Sequence, residues 1–502
     1  MKQKKTENLS KIAVKNSAYT FASIAISKIG ALIFTIVVAR LLLPELFGVY
    51  SLVLSIIIIA MTFTDFGINS ASIKYVSEEL GRDNKDKARS YFKYLLKIKG
   101  TLIFLVILIV LLMAKFLSYN VFNKPLIFLP LIFASLFILM ESARDFFGTL
   151  FIAKKDFQPL PLFEFVIQLS KIIFSITAIT ILSDAFKVSG IFVAFALSGF
   201  IYLLLSLSLL LKRNKEFFFG KKVKIEKSRV LNYIKFVSLT TISLAFFGAI
   251  DILMLGKFVE ASYIGYYRVA IGLAFTVSAL LSFSGILLPI FTQINKERLE
   301  RGFQKVFRYI IMLAIPAAFG LIFMSGFAVF FLYGKEYMPS VYPLYILSLL
   351  IITSPLFEIY SILFKAKEKQ KILAKFTFIA LILNIFLNYI LIKSFLLVSQ
   401  EYAIFGAAIA TLASRTFLLG FLIIKTKSQF KINLEKSHFI KPILATVVMV
   451  TFLIIFNNYV NLNFFLGIIE IFMAILIYFT SLKLLKGVNT SDFELIKQIF
   501  KK

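Results

Sequence analysis

The sequence predicts an all-α polytopic membrane protein with about fourteen transmembrane helices. Of its 502 residues, 60% are hydrophobic and only 16% are charged, whereas soluble domains are roughly half apolar and about a quarter charged. The apolar residues recur in runs of about twenty, the length that crosses a hydrocarbon layer of ~30 Å. Lys and Arg are concentrated in every second interval between these runs, as expected for loops on alternating sides of a membrane.

The predicted spans follow one another along nearly the whole chain. They are, in order, 16–39, 47–68, 95–117, 125–148, 160–183, 188–211, 230–256, 264–292, 308–333, 341–364, 372–394, 402–424, 439–459 and 463–482. The intervals between them are short, so none of them is expected to hold a soluble catalytic domain.

The distribution of basic residues predicts the topology. The N-terminal tail, the intervals after the even-numbered spans and the C-terminal tail hold 45 of the 56 Lys and Arg residues, and the seven other intervals hold only 7. Basic loops remain in the cytoplasm during membrane insertion. We therefore expect a multi-pass protein of the cell membrane with both termini in the cytoplasm.

A faint internal repeat predicts the domain organisation. The matching residues are Gly48 and Tyr50 in span two with Gly265 and Tyr267 in span eight, and Gly190, Ala194 and Ser198 in span six with Gly406, Ala410 and Ser414 in span twelve. Both matches are six spans apart, which keeps the orientation of the repeated spans. We expect two pseudo-symmetric six-helix bundles at 1–211 and 230–425, a basic cytoplasmic linker at 212–229, and two additional transmembrane helices with a cytoplasmic tail at 426–502.

The composition also bounds the chemistry. The chain has no cysteine and one histidine, His438, so disulfides, thiolate metal sites and histidine-based catalysis are excluded. We expect no metal and no cofactor. The net charge of +30 is spread over many short loops, which argues against nucleic-acid binding because that function needs one basic face.

Several motifs resemble those of a known family. The segment 40–50, RLLLPELFGVY, resembles the R-x-L-G-P-E-x-F-G-x-Y pattern of polysaccharide-repeat flippases, with Leu43 in place of the usual glycine. Further matches are Asp65 to Gly67 with Lys74, Asp251 to Gly256, Ile264 to Tyr267, Leu332 to Gly334, Asn384 with Asn388 and Tyr389, and Gly406 to Thr411. Together they resemble the Wzx-like oligosaccharide flippase family of the multidrug/oligosaccharidyl-lipid/polysaccharide exporter superfamily.

This resemblance implies a flippase rather than an enzyme. Such proteins move a polyprenyl-(pyro)phosphate-linked oligosaccharide from the cytoplasmic to the outer leaflet by alternating access, for the assembly of surface polysaccharide. The implied partners are this lipid-linked oligosaccharide, membrane lipids and the enzymes of glycan assembly. Relatives that flip the peptidoglycan precursor carry several arginines in the early spans, whereas the first span here offers only Lys28.

Charged residues inside the spans are the candidate functional residues. A charge at the bilayer centre costs at least ~2.5–3.5 kcal/mol, so it usually faces a cavity or a partner. The substrate-cavity candidates are Lys28, Lys171, Arg268, Arg415, Asn384 and Asn388. The cations would hold an anionic pyrophosphate by charge-assisted hydrogen bonds. The two asparagines either bind sugar hydroxyls or pack between helices.

Acidic residues are candidates for coupling transport to H⁺ or Na⁺. They are Asp65, Glu164, Asp251 and Glu358. Glu164 and Lys171 are seven residues apart on one helix face, so a structural ion pair is the alternative for both. Asp251 is either a cation site or an interfacial residue.

Three other functions fit parts of the sequence. A cation-coupled multidrug or small-molecule antiporter of the same superfamily would need an acidic cavity, and the cations within the spans argue against it. A membrane glycosyltransferase or polymerase would need catalytic acids in long outer loops, which are short here. A scaffold without transport activity would not need charges inside the membrane.

Overall fold

The computed structural model describes residues 2–218, 221–281, 291, 296–430, 432, 437–460 and 463–487. It divides into two compact units, Met1–Gly265 and Tyr266–Lys502. The end of the predicted span 264–292 and the tail after 487 lie largely outside the described residues.

Eight helices begin in the first unit. They are α1 Lys2–Asp65, α2 Ile68–Gly81, α3 Lys85–Phe116, α4 Phe128–Ala153, α5 Leu160–Ile181, α6 Asp184–Phe218, α7 Lys227–Phe258 and α8 Ala261–Leu280, within the described part of that unit. The last of them, α8, continues into the second unit. That unit then contributes α9 Lys296–Phe323, α10 Ser325–Tyr333, α11 Val341–Leu347, α12 Leu350–Ala366, α13 Gln370–Leu396, α14 Gln400–Phe430, α15 Ser437–Tyr459 and α16 Phe464–Leu484.

The helices confirm an all-α polytopic membrane fold. Among the described residues, twelve helical segments are long and apolar enough to cross a membrane, and the bent pair Lys335–Leu347 and Leu350–Ala366 makes a thirteenth. Helix α1 has 64 residues, about 96 Å at 1.5 Å per residue, far more than one crossing requires. A kink divides it into two arms that each have the length of a span, which agrees with about fourteen crossings.

The kink in α1 replaces a loop that the sequence predicted at 40–46. Leu43 has φ 60° and ψ 169°, and Pro44 follows it inside the same helical segment. Proline disfavours the helical conformation of the residue before it but fits the first turn of a helix. The second arm of α1 therefore begins at the proline, and no loop residues are needed.

Two glycines bring α1 and the start of α8 into backbone contact. A Cβ atom added to Gly48 would overlap the carbonyl oxygen of Ala261, and one added to Gly265 would overlap the carbonyl oxygen of Pro44. Any other residue at either position would push the helices apart. This contact explains why a glycine stands at the same place in both copies of the predicted repeat.

A second pair of repeat motifs makes the same local contacts in each unit. Ser198 donates a hydrogen bond to the carbonyl of Ala194 at 2.8 Å, and Ser414 donates one to the carbonyl of Ala410 at 2.8 Å. The preceding glycines, at 190 and 406, pack closely against α5 and α13 respectively. The shared geometry agrees with an internal repeat, and the domain boundaries at 212–229 and 426 stay a prediction.

The basic linker between α6 and α7 is fixed to the helices beside it. The buried guanidinium of Arg89 on α3 donates to the carbonyl oxygens of Phe217 at 2.7 Å and Lys221 at 3.2 Å. The next residue, Ser90, accepts a hydrogen bond from the backbone N–H of Val223 at 2.9 Å.

The far end of the linker is held by α2. The Tyr75 hydroxyl donates to the carbonyl of Arg229 at 3.0 Å, and the guanidinium of Arg229 lies 3.2 Å from Glu78. The linker is thus bound at both of its described ends.

We predict that Leu43→Gly stabilises the protein. Leucine at φ 60° and ψ 169° occupies a region that is almost restricted to glycine, and such strain costs about 1–3 kcal/mol. The midpoint of thermal unfolding in detergent should therefore rise. Leu41→Gly is the matched control, because Leu41 is also an exposed leucine but has helical backbone and should lose about 1 kcal/mol. Equal destabilisation by both changes would contradict the prediction.

Candidate functional site

The first unit contains a group of seven ionisable side chains on four helices, here called the charge cluster. Its members are Asp65 on α1, Lys99 on α3, Glu141, Arg144 and Asp145 on α4, and Glu164 and Lys171 on α5. Three of them, Asp65, Glu164 and Lys171, are candidates that the sequence predicted. The structure brings these three into one cluster.

Arg144 is the centre of the cluster. Its Nη2 atom donates to Glu141 Oε1 at 2.6 Å and to Asp145 Oδ1 at 2.9 Å. Its Nη1 atom lies 3.6 Å from Glu164 Oε1 on the next helix. The guanidinium also lies over the ring of Tyr202 on α6, 5.4 Å from the ring centroid. One cation therefore holds three carboxylates and joins three helices.

Lys171 is enclosed by aromatic rings and carboxylates. Its Nζ atom lies 5.1 Å from the ring centroid of Phe195 and 5.9 Å from that of Phe137, within the range of cation–π attraction. It also interacts electrostatically with Glu141 and Glu164. Lys171 therefore lies near acidic groups of α4 and α5, and its role stays a prediction.

Asp65 combines two structural roles. Its carboxylate accepts hydrogen bonds from the backbone N–H groups of Gly67 at 3.2 Å and Asn69 at 3.0 Å, so it satisfies free donors at the start of α2. It also lies 3.4 Å from the ammonium of Lys99, whose side chain is 2% exposed. Asp145 interacts with both Lys99 and Asp65, which connects this pair to the rest of the cluster.

The cluster has one more carboxylate than it has cations. Four acids and three bases give a formal charge of −1 when all are ionised. Among the described residues, the Oε2 atom of Glu141 and the Nε atom of Arg144 are buried and have no hydrogen-bond partner. A buried group of this kind gains from a further ligand. The arrangement can therefore take up a proton or a monovalent cation and become neutral.

The second unit holds the two predicted asparagines in its interior. Asn384 donates from Nδ2 to the hydroxyl of Ser414 on α14 at 3.0 Å, and Asn388 donates from Nδ2 to the carbonyl of Asn384 at 3.0 Å. Both side chains are fully buried. Tyr267 and Thr411 share a hydrogen bond of 3.4 Å in the same unit. The asparagines thus lie on one face of α13, and Asn384 joins it to α14.

The other predicted residues are not members of the charge cluster. In the first unit, the side chain of Lys28 is exposed on α1 and that of Asp251 is buried on α7. In the second unit, Arg268 interacts electrostatically with Tyr333, and Arg415 lies over the ring of Phe275 at 4.9 Å. Glu358 is half-buried on α12. The role of each in transport stays a prediction.

Sequence analysis missed Lys99 and treated it as part of a basic loop. The buried face of α3 includes residues 88, 92, 95, 99, 103, 106 and 110. This spacing of three and four is that of one helix face, and Lys99 is the only lysine in that row. A lysine at a position where the pattern requires an apolar residue was the signal for its burial.

The chain is similar to a known protein family and to two named relatives. The model of the family described as "Polysaccharide biosynthesis protein" matches residues 13–295. The probable low-salt glycan biosynthesis flippase Agl15 of Haloferax volcanii is 26% identical over 283 residues, which are 55% of this chain and 58% of that protein. The lipid II flippase MurJ of Bacillus subtilis is 27% identical over 183 residues, 34% of this chain and 32% of MurJ. The chain therefore matches less than two thirds of the length of either relative.

Solved structures share the fold. The lipid II flippase MurJ in an inward closed conformation has a TM-score of 0.75 at 17% identity, covering 92% of this chain and 97% of that structure. An inward-facing MATE multidrug transporter of the MOP superfamily has a TM-score of 0.63 at 12% identity, covering 82% of this chain and 98% of that structure. At these identities the likeness is one of architecture.

We predict that Arg144→Gln strongly destabilises the protein. It leaves Glu141, Asp145 and Glu164 without their shared cation, and breaking a buried ion pair typically costs about 3–5 kcal/mol. The loss is measured as the free energy of unfolding in a denaturing-detergent titration. The double variant Arg144→Gln/Glu164→Gln should recover part of it, because one uncompensated carboxylate is removed.

Arg213→Gln is the matched control for this prediction. Arg213 also pairs with an acid, Asp156, at 2.8 Å, but its side chain is 44% exposed. Such pairs contribute about 0–1 kcal/mol. Equal losses for Arg144→Gln and Arg213→Gln would show that Arg144 does not hold the helices together.

Proposed function

Since this chain belongs to the polysaccharide biosynthesis protein family, in the flippase branch of the multidrug/oligosaccharidyl-lipid/polysaccharide exporter superfamily, we propose that it flips a polyprenyl-(pyro)phosphate-linked oligosaccharide across the membrane. The direction proposed is from the cytoplasmic to the outer leaflet, by alternating access. The product would serve the assembly of surface polysaccharide.

One observation carries this proposal. The family match covers more than half of the chain, from the first span through the eighth, and the two relatives are named as a probable low-salt glycan biosynthesis flippase and a lipid II flippase. The MurJ-like fold over 92% of the chain agrees with it.

The proposed path for the head group uses the cations that stand outside the charge cluster. Lys28, Arg268 and Arg415 would hold the phosphate oxygens by charge-assisted hydrogen bonds. Asn384 and Asn388 would form hydrogen bonds with the sugar hydroxyls. To do so, each would have to break one of its present hydrogen bonds. Lys171 was grouped with the cations, but its carboxylate and aromatic neighbours suit a role in coupling better.

The proposed coupling site is the charge cluster. With one surplus carboxylate, uptake of H⁺ or Na⁺ changes the cluster from −1 to neutral, and the change acts on α1, α3, α4 and α5 together. Asp65 and Glu164 are the predicted members of this site. Asp251 and Glu358 lie outside the cluster and are proposed as secondary positions for the same ion.

We also propose the cell membrane as the location, with both termini in the cytoplasm. The excess of Lys and Arg in alternate intervals supports this orientation. Contact with glycan-assembly enzymes would occur on the cytoplasmic side, where the lipid-linked substrate is completed.

A cation-coupled antiporter of small molecules is the second candidate. The surplus carboxylate of the charge cluster and the likeness to a MATE transporter favour it. The two functions differ in substrate: an antiporter would export a soluble cation such as ethidium, whereas a flippase would move a lipid whose tail stays in the bilayer.

The test is a leaflet-accessibility assay with the purified full-length protein in proteoliposomes. The substrate is a polyprenyl-pyrophosphate oligosaccharide with a fluorophore on its glycan, and dithionite added outside quenches only the fluorophores that it reaches. A flippase should expose the inner-leaflet pool, faster under an imposed H⁺ or Na⁺ gradient. A pool that stays protected, together with ethidium transport, would replace the proposal with the antiporter.

We predict that Lys28→Ala and Arg268→Ala each slow flipping in this assay. Loss of one charge-assisted hydrogen bond costs about 1.5–3 kcal/mol, which corresponds to roughly ten- to hundredfold in rate. Lys393→Ala is the control, because Lys393 is exposed and bonds to the Tyr389 hydroxyl. Normal rates in both cavity variants would remove these two residues from the path.

A further inference from the structure

We propose that Glu470 is a proton-binding site that makes the packing of α15 and α16 on the rest of the second unit depend on protonation. The proposal concerns neither the charge cluster nor the substrate path. It does not rest on the proposed function, because it is tested without transport.

The carboxyl group of Glu470 is buried and isolated. The residue is 0% exposed, and within the described part of the chain neither carboxylate oxygen has a hydrogen-bond partner. The acids of the charge cluster have cations at 2.6–3.6 Å. Asp251 and Glu358 also take part in interactions. Glu470 differs from all of these because its carboxyl group is buried and no charged neighbour influences it.

The position of Glu470 on α16 shows what its carboxyl group faces. The buried residues of α16 are Gly467, Glu470, Ala474, Tyr478 and Leu482, which form one stripe at spacings of three and four. The opposite face is apolar and exposed, as at Phe465 and Phe472. The carboxyl group therefore lies on the protein-facing side of the helix and not among the lipids.

Both neighbours of Glu470 along this stripe are in tight contact with the unit. On one side, the ring of Phe327 on α10 fills the space where Gly467 lacks a side chain. On the other side, Ala474 packs into an apolar cluster with Met324 and Met449. Further along, Tyr478 donates to the carbonyl of Met312 on α9 at 2.5 Å.

Among the described residues, no charged group is placed to stabilise an ionised Glu470. On α15 the ionisable residues are His438 and Lys441, at its start, and Tyr459, exposed at its end. Lys441 donates to the carbonyl of Lys486. Arg308 is the last charged residue along α9, and it lies one turn before Met312, which Tyr478 contacts. Tyr478 is itself two turns from Glu470 along α16. The remaining ionisable groups on the packed helices are Tyr309, Tyr333, Tyr478 and Lys483, and none of these acts on the carboxyl charge.

The energetics then decide the protonation state. An ionised carboxylate without a partner loses the solvation of a full charge, whereas the neutral acid loses only its hydrogen bonds, so the neutral form is the less costly one. The described packing is therefore that of the neutral acid. Loss of the proton would force the carboxylate out of the stripe, and α16 must separate from α9 and α10 for it to reach water. The bound ligand is a proton, taken from whichever side the helix pair opens.

The first test is labelling of the full-length protein with dicyclohexylcarbodiimide. A protonated buried acid adds across the carbodiimide and rearranges to a stable N-acylurea, with no leaving group. Peptide mass spectrometry should find the adduct on Glu470 at pH 6, with less at pH 9, and none in Glu470→Gln. Glu79, a buried acid that pairs with Lys87 at 3.0 Å, is the internal control and should remain unmodified. Absence of the adduct at pH 6 would overturn the proposal.

The second test compares the wild type with Glu470→Gln over a range of pH. Only the wild type can lose the proton, and its docked state favours the protonated form, so its stability must fall as the pH rises. The glutamine variant keeps the shape and stays neutral. The difference between their thermal unfolding midpoints should grow from pH 6 to pH 9. Parallel curves would show that Glu470 is a packing residue only.

Discussion

A charged side chain inside a membrane protein needs a counter-ion from the protein itself. In the first unit, Arg144 is the counter-ion that several acids share. Its guanidinium contacts acids from α4 and α5 and stacks on an α6 ring. These helices have mostly apolar surfaces, which lipid solvates as well as protein does, so apolar contact alone does not fix which faces meet. Charge pairing does fix them, because each misplaced pair would leave an ion in hydrocarbon.

The two units meet this constraint differently. The first concentrates charge in one cluster with a surplus acid, whereas in the second Asn384, Asn388 and Ser414 form a neutral hydrogen-bond network on α13 and α14. A charged cluster responds to uptake of a single ion, and a neutral network responds little. This difference is the physical reason to assign coupling to the first unit and to look elsewhere for sugar recognition.

Much of the fold could be predicted because whether a segment spans the bilayer depends mainly on its own hydrophobicity and length. A run of apolar residues is a span whatever its neighbours are, and the alternation of Lys and Arg tests the count. The kink at Leu43 could not be predicted in this way. A polar Arg40 and a proline within a few residues are typical of a loop, yet one left-handed residue before Pro44 lets the helix continue.

The site was harder to predict because its contacts join different helices. Spacing along one helix placed Glu164 and Lys171 on a common face, but it could not show that Glu141 and Arg144 stand opposite them. Lys99 was missed because it lies near the end of a span, where a lysine usually reaches water. The spacing along α3 signals its burial, but the sequence could not show that Asp65 of α1 is its partner.

The anchored linker between α6 and α7 has a consequence for handling the protein. Lys221, Lys222, Lys224 and Lys227 are exposed, and exposed basic loops are normally where trypsin cuts first. A protease must draw several residues into an extended strand, and here that would break the hydrogen bonds from α2 and α3 that hold both ends of the segment. The most basic connection in the chain is therefore expected to survive digestion while the protein stays folded, and α1 to α6 would stay covalently joined to α7 and the helices after it.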